Sequence, residues 1–244
     1  MKTSIKTASL LIILFSLSIG CSSFSVNEKV VGNGDITSKT ITTTDYDIIS
    51  AVGFIDIHLE EGTEGNITVT TDDNLHEHLE IEVKDNVLIL TTKNYVNLST
   101  EKGVHITVPF EQISEVTLTG SGDIDSKDKI TAEEFNTSVT GSGDIVVDVE
   151  ATRVKVDVVG SGDVTLSGAT TDLEVEILGS GNFKGFDLIS QNTNVSCSGS
   201  GDAKVVAKGK LKARINGSGD IIYKGNPEKS DVNVSGSGAI SSRD

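Results

Sequence analysis

The stretch TGSGDI at residues 119–124 returns unchanged at residues 140–145. Its Gly-Ser-Gly core then runs to the C-terminus: GSGD at Gly120, Gly141 and Gly160, GSGN at Gly179, GSGD at Gly199 and Gly217, and GSGA at Gly236. The first glycines are spaced by 21, 19, 19, 20, 18 and 19 residues. A fixed period of this size marks a repeat architecture, in which each unit buries its apolar face against its neighbours.

Counting from each first glycine shows what the units share. Two residues before it stand Leu118, Val139, Val158, Ile177, Cys197, Ile215 and Val234. Four before stand Val116, Thr137, Val156, Val175, Val195, Ala213 and Val232, and polar residues such as Lys155 and Asp157 lie between. Four residues after it come Ile124, Ile145, Val164, Phe183, Ala203, Ile221 and Ile240. This period-two alternation is that of strands with one buried face. Each unit reads as strand, Gly-Ser-Gly-Asp corner, second strand and a looser third side, on which Ile130, Ala151 and Ile189 are the inward candidates. The same apolar face is regained once per period, as one coil of a solenoid requires. The expected fold is all-β: a single-domain parallel β-helix or solenoid of about 18–21 residues per coil, with rungs roughly 4.8 Å apart.

A corner that stacks on an identical corner favours residues without Cβ, and glycine also supplies positive φ. The fourth motif position admits two readings. In the first, Asp123, Asp144, Asp163, Asn182, Asp202 and Asp220 are there for geometry, their side chains capping backbone N–H groups at the bend. Asn182 is a substitution that such a role tolerates. In the second, the row is a cation or ligand ladder, with Ca²⁺ relieving the repulsion of stacked carboxylates. Against it, the nine-residue double-glycine spacing of calcium-binding repeats is lacking, Asn182 and Ala239 interrupt the row, and Ca²⁺ needs about six to eight oxygens.

Composition limits the rest. Only 4% of the 244 residues are aromatic and there is no Trp, so the core must come from Val, Ile, Leu and Ala. The formal charge of −16 argues against nucleic acid as a partner, since that needs basic side chains on phosphates. At the N-terminus, MKTSIK precedes the apolar run ASLLIILFSLSI and then Gly20-Cys21. That run is too short for a permanent membrane span and fits a secretory signal. Gly-Cys behind it resembles a bacterial lipobox, with Ser18 where Leu is usual, and implies cleavage after residue 20 and lipidation of Cys21. Cys197, the other cysteine, then has no disulfide partner. The expected organisation is a lipoprotein signal at 1–20, a tether and first edge strand at 21–44, a β region continuous with the solenoid at 45–118, and the repeat solenoid at 119–244. Gly32 opens GNGD, which reads as a degenerate corner; KDN at residues 84–86 reads as a hairpin turn, and DDNLHEHL at 72–79 as a short helical turn.

Three segments in order, DYDIISAVGFIDIHLEEG, DDNLHEHLEIEVKDNVLIL and VHITVPFEQISEVTLTGSGDI, together with the later GSG rows, resemble the head GIN domain family of auto-transporter adhesins. The resemblance runs from about Thr40 to the C-terminus and implies a β-helical fold and a cell-envelope location. It carries over no catalytic motif, and no barrel-forming pore segment is recognisable.

The class-distinct alternative is a carbohydrate-active enzyme, a lyase or hydrolase that uses a pair of corner aspartates. Repeat lengths vary by three residues only, from 18 to 21, which leaves no insertion to wall a catalytic groove. His58 and His105 alternate with apolar neighbours and are expected to face solvent, and His76 and His78 supply two ligands where a metal site needs three or four. No metal site or catalytic residue is assigned, and Cys197, in an apolar column, reads as a buried inert thiol. The sequence therefore points to a non-enzymatic, exported lipoprotein of the outer membrane, adhesin-like or scaffolding, on its periplasmic or outer face. Its partners are an envelope or surface glycan or protein, and the membrane through the lipid. A third reading is self-assembly as a homo-oligomer through open solenoid ends, since the last turn GSGAISSRD offers only small and polar residues as a cap.

Overall fold

The computed structural model describes residues 28–94 and 96–243; Cys21 and the signal segment lie outside the described residues. Strands Ile130–Gly141, Ile145–Gly160, Val164–Gly179 and Phe183–Gly199 each run from the neighbourhood of one corner to the next and stack in parallel. Register is locked at the glycines, with Gly120, Gly141, Gly160, Gly179, Gly199, Gly217 and Gly236 each paired to the next. The chain is a parallel β-solenoid. Its third side is continuous strand in the middle coils; further on it breaks between Val206 and Lys210 and between Lys224 and Lys229.

The inward columns are those of the alternation: Leu118, Val139, Val158, Ile177, Cys197 and Ile215 are each at most 2% exposed. Phe183 and Gly185 show how a column absorbs a large residue. A Cβ on Gly185 would lie 2.4 Å from the Phe183 ring, so the missing side chain makes the ring's room. Thr137 is the polar member of a column otherwise filled by Val and Ala, and its buried Oγ1 has no hydrogen-bond partner among the described residues. Thr137→Val keeps the shape and removes the stranded hydroxyl. It is expected to raise unfolding stability by about 1–2 kcal/mol, read as a higher denaturant midpoint; a lower midpoint would show that the hydroxyl is satisfied.

Two expectations need correction. Ile130 and Ala151 point inward, but Ile189 is 43% exposed, and Leu188 and Ser190 are the buried residues there. The register shifts between Thr165/Ser167 and Lys184/Asp187, where this coil carries one extra residue. One inserted residue moves the following side chains to the opposite face. The second correction concerns GNGD at Gly32. It lies between Glu28–Val31, which pairs with Val96–Ser99, and Ile36–Thr42, which runs antiparallel to Asn66–Asp72. The first solenoid corner is instead Gly53-Phe-Ile-Asp56, whose Gly53 pairs with Gly120.

The N-terminal end of the stack is covered, whereas no described strand lies beyond the last rung at the other end. Val87–Thr92 and His105–Phe110 add a rung in parallel to Ile48–Gly53 and Asp56–Glu61. Antiparallel strands Leu79–Lys84 and Asn66–Asp72 then pair with that rung, with the Lys84–Val87 hairpin turning through Asp85 and Asn86 at positive φ. A 3₁₀ turn spans Asp73–His78. At the other end, Lys229–Gly236 and Ile240–Ser242 form the last rung, and Val232 and Val234 are 49% and 42% exposed.

Candidate functional site

The corner row is the repeated feature with the most chemistry, and the structure shows what its carboxylates do. Asp56 Oδ1 accepts the backbone N–H of Asp123 at 3.0 Å, and Asp123 Oδ1 accepts that of Asp144 at 3.0 Å. The chain continues through Asp144 to Asp163 N at 2.8 Å, Asp163 to Asn182 N at 2.9 Å, and Asn182 Oδ1 to Asp202 N at 3.0 Å. It ends with Asp202 to Asp220 N at 2.7 Å and Asp220 to Ala239 N at 2.8 Å. Each side chain thus ties its own corner to the next one. Asn182 serves because its amide oxygen accepts equally well. Ala239 serves because it sits in the last described corner and needs only to donate.

Glycine is required at this corner for two separate reasons. Gly160 has φ of +118°. Gly162 is excluded from carrying a side chain by contact, since a Cβ there would meet Gly143 O at 2.0 Å. The close approach lets Gly141 O accept both Ser161 N at 2.8 Å and Gly162 N at 3.1 Å from the coil above.

Lys184 Nζ lies 2.7 Å from Asp163 Oδ2. Burial raises the Asp163 pKa, but the hydrogen bonds from Lys184 and Asn182 outweigh it and hold the carboxyl below its ordinary value. At this point of the row the cation is the protein's own. Among the described residues no group of three or more His, Cys, Asp or Glu side chains is arranged to hold a metal ion.

The histidines form a feature that alternation alone does not reveal. His58 and His105 stand on paired strands and stack, with ring centroids 5.5 Å apart and planes 15° from parallel. His58 Nδ1 lies 2.7 Å from Asp125 Oδ2, His58 Nε2 lies 3.2 Å from His105 Nδ1, and His105 Nε2 lies 2.9 Å from Lys102 O. Both ends of this chain are acceptors, the Asp125 carboxylate and the Lys102 carbonyl, so the outer ring nitrogens His58 Nδ1 and His105 Nε2 are the donors to them. His76 belongs elsewhere, against Thr37, and burial is the main cause of its lowered pKa. Cys197 is 2% exposed, and burial first and Asp202 second push its thiol up to about 12. A thiol in that state is not a nucleophile.

The outward face before the corner carries charge in bands. Seven, five and three residues before their glycines stand Asp172, Glu174 and Glu176 on one coil. The next coil presents Asn192, Asn194 and Ser196, and the one after it Lys210, Lys212 and Arg214. An open groove of about 410 Å³ crosses this region. A count of residues from each glycine would have found the bands, because the offsets are identical. The groove itself needs the register.

The family described as “Putative auto-transporter adhesin, head GIN domain” matches residues 45–227. A “putative adhesin” from Bacteroides fragilis superposes with a TM-score of 0.84 at 22% identity, over 88% of this chain and 100% of that one. A “putative adhesin” from Parabacteroides distasonis gives 0.72 at 27% identity, over 88% and 100%. A “putative lipid binding protein” from the same species gives 0.74 at 24% identity, over 89% and 100%. No curated protein matches the chain.

Proposed function

The chain belongs to the head GIN domain family of auto-transporter adhesins, and from that premise we propose that it is a non-enzymatic, adhesin-like lipoprotein of the cell envelope. In this reading Cys21 carries the lipid, and the outer face of the solenoid binds an envelope or surface glycan or protein. The observation that carries it is the corner ladder. The aspartates that an acid–base enzyme would use each commit an oxygen to the backbone of the next coil. What the repeats leave free for a partner is a long, flat, polar strand face, suited to many weak contacts. The adhesin description of the family supports this reading, as does the 27% identical relative.

Proteinase treatment of intact cells tests it. Rapid loss of the mature chain, together with a shift of Cys21→Ala from the membrane to the soluble fraction, is the expected result. Full protection until the outer membrane is opened would remove the adhesive role and leave a periplasmic scaffold. A second reading, self-association, is favoured by Val232 and Val234, which are exposed on the last described rung. Sedimentation showing only monomer at high concentration would remove it.

A further inference from the structure

We propose that the groove across the banded face binds a linear, carboxylate-bearing glycan, with its anionic edge on Lys210 and Lys229. This deepens the adhesin-like reading and rests on its premise that the outer face meets a partner.

Charge is the first argument. In a chain of formal charge −16, Lys210, Lys212 and Arg214 put three cations on one outward row. Lys210 pairs in register with Lys229 on the adjacent rung. Both side chains are exposed, and among the described residues neither makes a hydrogen bond or ion pair. Like charges opposite one another on neighbouring strands destabilise a sheet, and an anion laid between them reverses the sign. Arg214 is already held by Asp231. Lys212 stands in register with the same Asp231, so Lys210 and Lys229, which face each other, are the cations without an acidic neighbour across the ladder.

The floor is the second argument. Asn192 donates its amide to Asp172 at 2.8 Å, which leaves Asn192 Oδ1 open. The Asn194 side chain makes no hydrogen bond among the described residues. Two amides with unused capacity, between an acidic row and a basic row, suit a ligand rich in hydroxyl groups. Asp172, Glu174 and Glu176 lie two rungs from the basic row, roughly 10 Å away, and repel a second anionic edge. A chain charged along one side is therefore held in one orientation.

The remaining macromolecules fit less well. The inner strands of this face are already paired on both sides in the parallel ladders, so a peptide can add a strand only at the far edge of Lys229–Gly236, and not across Asn192 and Asn194. No aromatic ring lines the groove on which a nucleobase could stack. From Lys210 to Arg214 the row is roughly 13 Å long at strand rise, enough for a short oligosaccharide.

Titration calorimetry of the purified chain with oligogalacturonate, and with the same oligosaccharide after carboxyl reduction, tests the proposal. The acidic form is expected to bind and the reduced form to give no measurable heat. Replacing both lysines, Lys210→Gln with Lys229→Gln, should weaken binding at least about tenfold, and Asn194→Ala should weaken it with the charge unchanged. Lys127→Gln, remote from the groove, should leave it intact. Failure of oligogalacturonate to bind, or equal affinity in the double variant, overturns the groove. Cell-surface exposure by proteinase is measured separately, so the adhesin-like reading can stand after the groove has fallen.

Discussion

Gly162→Ala is expected to lower the melting temperature by roughly 10 °C or more, equivalent to about 4 kcal/mol in a chain of this size. The added methyl would sit 2.0 Å from Gly143 O and 2.7 Å from Val139 Cγ1. A side chain could turn aside, but a carbonyl that is part of the stacked corner cannot do so alone. Moving it pulls on the corner below, where Gly143 N and Ser142 N both donate to Gly120 O. Strain therefore spreads along the stack, and the unfolding transition should broaden as the coils on either side of the lesion uncouple. Gly34→Ala supplies the contrast. Gly34 has the positive φ that Gly162 lacks, +86°, yet a Cβ there meets nothing within 4 Å. That variant should cost only about 1–2 kcal/mol of backbone strain. Equal melting temperatures for the two variants would mean that the approach of stacked corners costs no more than strain at an open positive-φ site, and would overturn the contact argument for Gly162.

That contrast also marks what could be read before the structure. The fold was legible because alternation and period agree in every coil, and each inward column from Leu118 to Ile215 is buried where the spacing places it. Ile189 faces outward because a single extra residue between Lys184 and Asp187 reverses the faces that follow, and the one local signal of that bulge is Gly185 inside the strand, which is lost among the many glycines of the repeat. The first corner was missed for the opposite reason. Phe54 and Ile55 hide the Gly-x-x-Asp pattern, although Ile49, Ala51, Ile57 and Leu59 occupy the same offsets from Gly53 as the apolar columns of later coils. GNGD at Gly32 has the letters without the flanking columns. Column offsets are the better guide to a corner than the motif itself.

Sites were less legible than fold. The stacked His58–His105 pair needs residues 47 positions apart on paired strands, and that pairing crosses the non-repeating N-terminal part, where no period supplies the register. The banded face is different. Its acidic, amide and basic rows share one set of offsets, so their order follows from the repeat, but whether opposite charges neutralise each other or frame a groove depends on which partners each takes. Lys155 pairs within its own coil with Asp157 and Arg214 with Asp231 of the next coil, while Lys210 and Lys229 face each other.

Asp163→Ala should be the most costly substitution in the corner row, at about 2–3 kcal/mol. It leaves Asn182 N without its acceptor at 2.9 Å, strands the Asn182 amide, and frees Lys184 from its 2.7 Å partner. Asp163→Asn is the informative companion. An amide oxygen still accepts from the backbone, as Asn182 itself does one coil on, so the ladder survives and only the Lys184 pair is lost; about half of the cost should return. The two variants also differ from the wild type in acid. Because Asp163 is held below its ordinary pKa in the fold, its contribution is fully present above the unfolded-chain value near 4 and is lost as pH falls through the lower folded value. Wild-type stability should therefore drop more steeply than that of Asp163→Asn as pH falls below about 4, and the difference between them should shrink toward the acid end. Denaturant midpoints measured across that range decide the matter. Parallel curves for wild type and Asp163→Asn would show that the carboxylate's charge contributes nothing and that the row is held by hydrogen-bond geometry alone.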